Sequence, residues 1–366
     1  MADQGFAASF SPDYTAARAR FRASALALDA HLEAWSIDQR GPDGEELTID
    51  LARIGGPRPT RAEVISSGIH GVEGFFGSAV QAALLEEVLG GFVPPPGTAI
   101  LFLHALNPFG FAWQRRVNED NADLNRNMLR PDERYAGAPD GYGELDPFLN
   151  PQSPPPLVEG FLLRAGMLIA RHGMPALKNA IAGGQYEYPK GLFFGGHSPS
   201  RTARVLDERL PGLVGHCERV LHIDLHTGLG PWATYKLFVD HPWGSEQAKV
   251  LGAAFGEDVV EPWEPEKGTS YAIRGGLGTW CKSRFPEVDY DVLAAEFGTH
   301  RSVSVLRALR DENRCWHWAR RDEVASMRAR KRLTDVFAPP DPRWRHECVE
   351  QAIGVVERAI EAISEP

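Results

Sequence analysis

Three stretches of apolar, strand-like sequence run into a polar residue with glycine close behind it: Ile69-His70-Gly71, Leu225-His226-Thr227-Gly228 and Glu296-Phe297-Gly298. In open α/β sheets ligands bind in the crevice beyond the carboxyl ends of the strands, so three such ends can meet at one site although far apart in sequence. Glu73, in the loop after His70, adds a carboxylate. Imidazole nitrogen and carboxylate oxygen are both zinc ligands, and three protein ligands with an open fourth position form the catalytic arrangement. Each residue alone has a plainer explanation: a strand-end histidine is more often hydrogen-bonded structure, and a strand-end glutamate is usually solvated. Their coincidence carries the chemical reading. Asp224 falls on the same side of its strand as His226 by period-two alternation, and so near the same site. His104, His197, His222 and His300 read as structural.

The segment from Asn107 to Asn127, Asn-Pro-Phe-Gly-Phe-Ala-Trp-Gln-Arg-Arg-Val-Asn-Glu-Asp-Asn-Ala-Asp-Leu-Asn-Arg-Asn, follows an apolar run and is too polar for core. By itself it reads as a solvated loop. Taken in order with the other motifs it is specific. His70-Gly-Val-Glu73, Asn107-Pro-Phe-Gly110, Asp123-Leu-Asn-Arg-Asn127, His226 and Glu296 together resemble the zinc carboxypeptidase (M14) superfamily. Within it, Ser-Gly-Ile-His-Gly-Val-Glu-Gly with Arg-Arg-Val-Asn-Glu ahead of Asp-Leu-Asn-Arg-Asn is similar to the bacterial branch called DUF2817. The resemblance spans about residues 62–300.

That resemblance implies His70, Glu73 and His226 as ligands of one Zn2+ per chain, and Glu296 as the general base that activates the attacking water. It implies Asp123 as the carboxylate that orients a liganding histidine, a partnership that sets the tautomer and raises ligand basicity. Asn125 and Arg126 match the pair that grips the substrate's free carboxylate. Arg115 matches the arginine that polarises the scissile carbonyl, with Arg116 as the alternative. Ser270-Tyr-Ala-Ile-Arg-Gly-Gly-Leu-Gly-Thr-Trp280 is similar to the family's specificity loop, with Tyr271 capping the substrate and Gly278 at the pocket floor. A floor without a carboxylate gives no reason to expect a Lys or Arg substrate, whereas Arg274 nearby would favour an acidic one.

These residue types suit amide hydrolysis. Zinc lowers the pKa of bound water from 15.7 to about 7 and stabilises developing oxyanion charge. A carboxylate beside it takes the proton and passes it to the leaving nitrogen. A guanidinium binds a carboxylate through two parallel hydrogen bonds.

The surrounding pattern must position these groups. Tyr14, Ala17, Phe21, Ala25, Leu28, Leu32 and Trp35 fall at helical spacing and predict a leading helix over 14–35. Leu47–Ile54 and Ala62–Ile69 read as strands, Phe75–Leu89 as a helix and Thr98–Leu106 as a strand. Strand, helix, strand with an apolar helix is a crossover unit on a sheet covered on both faces. Arg219–Leu225 and Tyr290–Phe297 are further strands, and Val303–Arg320 and Trp344–Ile363 are closing helices. The expected fold is α/β, a mixed twisted sheet with helices on both faces, carboxypeptidase-like (phosphorylase/hydrolase-like). It forms a single catalytic domain over 1–366, with a helical lead at about 1–40 and an inserted, loop-rich excursion at about 130–200 that is rich in Pro and Gly. Within the excursion, Gly183-Gly-Gln-Tyr-Glu-Tyr-Pro-Lys-Gly-Leu-Phe-Phe-Gly-Gly196 either walls the pocket or is a purely structural loop.

Composition narrows the partners. Of 366 residues, 43% are hydrophobic and 24% charged, as in ordinary globular proteins, and the formal charge of -10 argues against a phosphate-binding surface. No nucleic acid and no membrane is expected; the substrate is a small molecule or short peptide with a free carboxylate. The start of the chain lacks a basic and then apolar leader, and Cys217, Cys281, Cys315 and Cys348 form no C-x-x-C pair, so reduced thiols in a cytoplasmic protein are expected. The leading functional expectation is a carboxypeptidase. The alternative is a deacylase of N-acyl amino acids, like the aspartoacylase and succinylglutamate desuccinylase branch, and a remote one is a metal-free binding module, which the intact ligand positions disfavour.

Overall fold

The computed structural model describes residues 5–156, 159–263 and 273–364. Eight strands form one mixed sheet: β1 (His31–Arg40), β2 (Glu46–Gly55), β3 (Arg61–Ser67), β4 (Thr98–His104), β5 (Arg219–Thr227), β6 (Tyr235–Val239), β7 (Val260–Pro262) and β8 (Asp289–Phe297). Their order is β1-β2-β4-β3-β5-β8-β6-β7. The central four, β4, β3, β5 and β8, run parallel, whereas β2 and β6 join them antiparallel. Parallel central strands are covered on both faces, and this explains their near-continuous apolar runs. In β5, Leu221, Ile223 and Leu225 enter one core, where they meet Phe76 and Val80 of the helix Gly74–Ala83 and Val349 and Val356 of the helix Pro342–Ser364. Val220, of opposite parity, enters a second core with Leu206, Leu210 and Val214 of the helix Arg201–Val214.

Local chemistry sets the element ends. The helix Tyr14–Ala27 starts on Asp13, whose side chain accepts from Ala16 N at 2.8 Å, a helix N-cap. The last long helix begins with Pro342 after Asp341, which caps the amides of Arg343 and Trp344.

Two expectations are corrected. The helix predicted over 14–35 stops at Ala27, and His31–Arg40 is an edge strand, so the lead is only partly helical. Asp29 has φ +54, outside helical space, and beyond it Trp35 and Ile37 are buried two residues apart, a strand period that the helical spacing of Leu28, Leu32 and Trp35 concealed. The excursion at 130–200 is less loop-like than its proline content suggests. It contains the helices Tyr142–Leu149, Phe161–His172 and Met174–Ala182, with Pro175 in the first turn of the last, where its missing N–H costs nothing. Among the described residues no helix is long and apolar enough to cross a membrane. All four cysteines are buried and unbridged.

Candidate metal centre

The site lies at the carboxyl ends of β3, β5 and β8. β3 ends at Ser67, and Gly68 turns the chain with φ +62. A single turn, Gly71–Glu73, then places His70 and Glu73 three residues apart before the helix Gly74–Ala83 begins. Gly71 is required by close approach: a Cβ there would lie 2.3 Å from Gly110 Cα. That approach lets Gly71 N donate to Arg116 O at 3.0 Å and Val72 N to Arg115 O at 2.8 Å, tying the two motif loops together. His226 comes from β5, and the parallel register sets Glu296 of β8 directly opposite it.

One ligand atom each from His70, Glu73 and His226 lies within 4.8 Å of the others, and all three residues are buried. His70 Nδ1 is 3.0 Å from Glu73 Oε1, yet it makes no hydrogen bond of acceptable direction. Glu73 Oε2 lies 3.1 Å from His226 Nδ1, so the carboxylate stands between the Nδ1 atoms of both imidazoles, a placement that one ion could share. A donor set of two imidazole nitrogens and a carboxylate fits a divalent transition metal.

The far side of each imidazole is held by a carboxylate. His70 Nε2 is 3.1 Å from Asp123 Oδ1, and His226 Nε2 is 2.7 Å from Asp224 Oδ2. At His226 a proton on Nε2 leaves Nδ1 as the lone-pair donor to a metal, whereas His70 Nε2 faces both Asp123 and the Nη2 donor of Arg116 at 2.7 Å. Asp224 belongs to a buried chain: Ser66 Oγ bonds its other oxygen, His222 Nε2 lies 2.8 Å from Ser66 Oγ, and Tyr290 OH lies 3.1 Å from His222 Nδ1. The alternation of Asp224 and His226 in the strand was the sequence signal for this pair. His104 is buried away from it, on Ser78 and stacked on Phe21.

Electrostatics separate the carboxylates into two kinds. Burial would raise Glu73, Asp123 and Asp224, but His70 and His226 hold the first well below the usual range, Arg116 and His70 hold the second well below it, and His226 lowers the third. Glu296 behaves oppositely. Burial, then the neighbouring Glu73 charge, push it up to about 7, against the pull of His226 and a 2.7 Å hydrogen bond from Leu229 N. The environments separate three carboxylates whose charged form is favoured from one that can exchange a proton near neutral pH.

The two adjacent arginines diverge. Arg116 lies at the centre, with Nε 3.0 Å from Asp123, Nη1 3.3 Å from Glu73 and Nη2 2.7 Å from His70, and it lines the recess that opens beside them. Arg115 does not reach the recess. Fully buried, it donates to Glu312 at 2.7 Å and Asn121 at 3.0 Å and stacks on Trp316. Its guanidinium is spent on the helix Ser302–Trp318, so the arginine at the site is the neighbour. Asn125 and Arg126 line the recess too, but both also hold backbone: Asn125 Oδ1 accepts from Leu277 N at 3.0 Å and Arg126 Nε donates to Ala182 O at 2.8 Å. Asp123 N donates to Phe194 O at 2.7 Å and Tyr186 OH to Arg126 O at 2.8 Å, so the loop 183–196 supports this motif, while Phe193 of the same loop lines the recess.

A family model described as "protein of unknown function (DUF2817)" matches residues 10–351. The chain belongs to the DUF2817 family. No curated protein matches its sequence. Among solved structures it is similar to bovine thrombin-activatable fibrinolysis inhibitor in complex with tick carboxypeptidase inhibitor, at 11% identity and a TM-score of 0.51, covering 97% of each chain. It is also similar to carboxypeptidase A from Helicoverpa armigera, at 11% identity and a TM-score of 0.45 over 89% of this chain and 74% of that one. A metallo-carboxypeptidase from Burkholderia cenocepacia aligns at 12% identity and a TM-score of 0.40 over 93% and 68% of the two chains. The first of these shows a shared carboxypeptidase-like fold.

In this DUF2817 chain two recesses adjoin the His70, Glu73 and His226 cluster. The larger, about 170 Å³, holds His70, Glu73, His226, Arg116, Arg126 and Glu296 at one end. A smaller one runs from His226 and Asn125 past Ala294 to Gly278 and Asp240. Gly278 lines this recess, and beside it stands a carboxylate, Asp240, where the sequence predicted a floor without one. Asp240 Oδ2 packs so closely there that a Cβ on residue 278 would come within 2.1 Å of it. Burial pushes the Asp240 carboxyl up, opposed by Lys282 and His241. Arg274, expected nearby, turns elsewhere: it donates to the carbonyls of Ala136 and Arg134, pairs with Glu133 at 3.5 Å and stacks on Tyr186. Tyr271 lies outside the described residues.

Proposed function

We propose that this DUF2817 chain is a zinc-dependent hydrolase that cleaves the amide bond joining a carboxylate-bearing terminal residue to the group on its nitrogen, as a carboxypeptidase does. The observation that carries the reading is the convergence of His70, Glu73 and His226 beside a proton-exchanging Glu296 on the adjacent strand. When bound there, zinc supplies Lewis acidity toward the carbonyl and acidifies a water. The chain's residues do the rest. Glu296 takes the proton of the attacking water and returns it to the leaving nitrogen. Arg116, beside Glu73, takes the carbonyl-polarising role that the motif left open between two arginines. Asn125 and Arg126 bind the terminal carboxylate, fixing which amide faces Glu296.

A panel of N-acyl amino acids and short peptides, each with a free or amidated terminus, tests this. Zinc-loaded enzyme is expected to prefer the free acids, and Arg126→Ala to raise KM for them while narrowing the preference over the amides. Because the Ala182 carbonyl also loses its partner, the variant is expected to be less stable by roughly 1–3 kcal/mol, read by denaturant titration on the same sample. Equal losses on acids and amides would remove Arg126 from carboxylate recognition.

Asp240 gives the smaller recess its preference. A half-buried carboxyl with no described hydrogen-bond donor gains from a ligand cation, which favours its charged form and completes its hydrogen bonds. The recess is about 20 Å³, room for about one or two water-sized groups, so the narrow ammonium end of a lysine is expected to be favoured over a guanidinium and over an acidic side chain. Charge-assisted bonds contribute about 1.5–3 kcal/mol, so Asp240→Asn should reduce kcat/KM for a lysine-terminated substrate by about 10- to 150-fold and spare a leucine-terminated one. No change in the lysine-to-leucine ratio would show that the recess does not read charge.

A further inference from the structure

We propose that the larger recess is an acyl pocket, and that the group on the nitrogen side of the scissile bond is a medium-chain aliphatic acyl group rather than a peptide. This rests on the hydrolase reading above. It starts from the walls, which come from three helices: Phe161–His172, Met174–Ala182 and Ser302–Trp318. They supply Leu168, Ile169, Leu177, Ile181, Leu306 and Leu309. Away from the metal centre the described lining has two polar side chains, Lys178, which is half-buried, and Ser302, which is exposed.

Backbone gives no more than side chains do. Within helices the amides and carbonyls are already paired along the helix, so apart from the first-turn residues Met174, Ser302 and Val303 the helical walls offer neither donors nor acceptors. A peptide laid here would bury its own N–H and C=O groups without partners, a cost of about 1–3 kcal/mol each on the protein-derived scale that an alkyl chain does not incur. The volume sets the length. One water-sized group needs about 10–15 Å³ on this measure, so 170 Å³ holds on the order of ten such groups, some of them beside the metal. A chain of about eight to ten carbons matches.

The reaction balances without any co-reactant but water. The water oxygen bonds to the acyl carbon as the carbon–nitrogen bond breaks. One water proton reaches the leaving nitrogen through Glu296, and the products are a medium-chain carboxylate and a free amino acid. The excursion at 130–200 is then the element that confers acyl selectivity, because two of the three helices lie within it.

The test is a homologous series of N-acetyl to N-decanoyl lysine, below micelle-forming concentrations, with tetrapeptides ending in lysine as comparators. Zinc-loaded enzyme is expected to show kcat/KM rising up to about fourfold per added methylene, the factor that ~0.8 kcal/mol of burial converts to, up to octanoyl or decanoyl. Calorimetric titration of the Glu296→Gln variant with the same compounds gives a readout independent of turnover, and affinity is expected to climb in parallel. Ile169→Trp, which fills the pocket, should lower the octanoyl-to-acetyl ratio at least tenfold. Leu306→Gln, which places a polar group in the wall, should lower the same ratio should the bulkier variant fail to fold. A flat series with good acetyl turnover, or tetrapeptides preferred over octanoyl-lysine, would overturn the acyl pocket and leave the hydrolase reading standing. Binding that climbs with chain length without hydrolysis of any compound would do the reverse. Neither binding nor hydrolysis would overturn both.

Discussion

Replacing Glu296 by Gln is expected to lower kcat by at least about a hundredfold, and by up to about ten-thousandfold, with KM and zinc content little changed. The substitution keeps the shape of the side chain but removes its ability to take a proton. The surroundings of Glu296 make the test clean. Its carboxylate accepts from Leu229 N at 2.7 Å, and an amide oxygen at the same place can accept that bond as well. The other large influence is repulsion from Glu73, which a neutral amide relieves, so the variant should fold at least as stably as the parent. Were Glu296 only a structural partner of the Leu229 loop, the glutamine would serve and kcat would stay near normal. Steady-state kinetics, metal analysis and a thermal melt on one purified sample separate the two roles.

The clustering of His70 and His226 was legible in the sequence because each stands at or just beyond a strand end and the sheet register makes strand ends neighbours, whereas Glu73 was marked by the resemblance. His226 and Glu296 are 70 residues apart, yet each is the last residue but one of its strand, β5 or β8, and the two strands pair in parallel. Asp224 was legible for a similar reason, its alternation with His226. The choice between Arg115 and Arg116 was not, since a motif fixes spacing but not which neighbour turns inward. Glu312, almost 200 residues on, holds Arg115 by a buried charge pair, and no local pattern announces that partner. Asp240 was hidden for another reason. It follows a five-residue strand, β6, whose burial depends on pairing with β8, and nothing in Val239-Asp240-His241 marks a pocket floor. The edge strand β1 was lost to a periodicity conflict, because apolar residues spaced by three and four across a helix end mimic a longer helix.

The same physical logic explains why the excursion at 130–200 was hard to read. Its helices bury few of their own residues: Phe161 and Ala165 in one, Leu177 and Ala182 in the next. A helix that packs on a core shows a full apolar stripe, whereas one that walls a recess shows aliphatic residues whose purpose is to face a ligand.

Removing a ligand is expected to have the broadest effect. His226→Ala should drop zinc from about one per chain to far below that after dialysis, and activity should fall further than in Glu296→Gln, because both the Lewis acid and the base's target water are lost together. His70→Ala should behave alike. The carboxylates behind them predict a graded series. Asp224→Asn keeps His226 but weakens its orientation, a change that typically costs 10–100-fold in metal affinity, so it should fall between parent and ligand variant in a chelator competition. Folding must be followed separately. Without His226, Asp224 and Glu73 are two buried carboxylates that have lost their shared partner, and an uncompensated buried charge costs about 3–5 kcal/mol. Zinc titration during thermal unfolding distinguishes metal loss from misfolding. A ligand bound only by the folded state at a thousand times its Kd stabilises by about 4 kcal/mol, so the parent's Tm should climb several degrees with added zinc while that of His226→Ala stays flat. Undiminished zinc in both histidine variants, with a Tm that still responds, would place the metal elsewhere in the molecule.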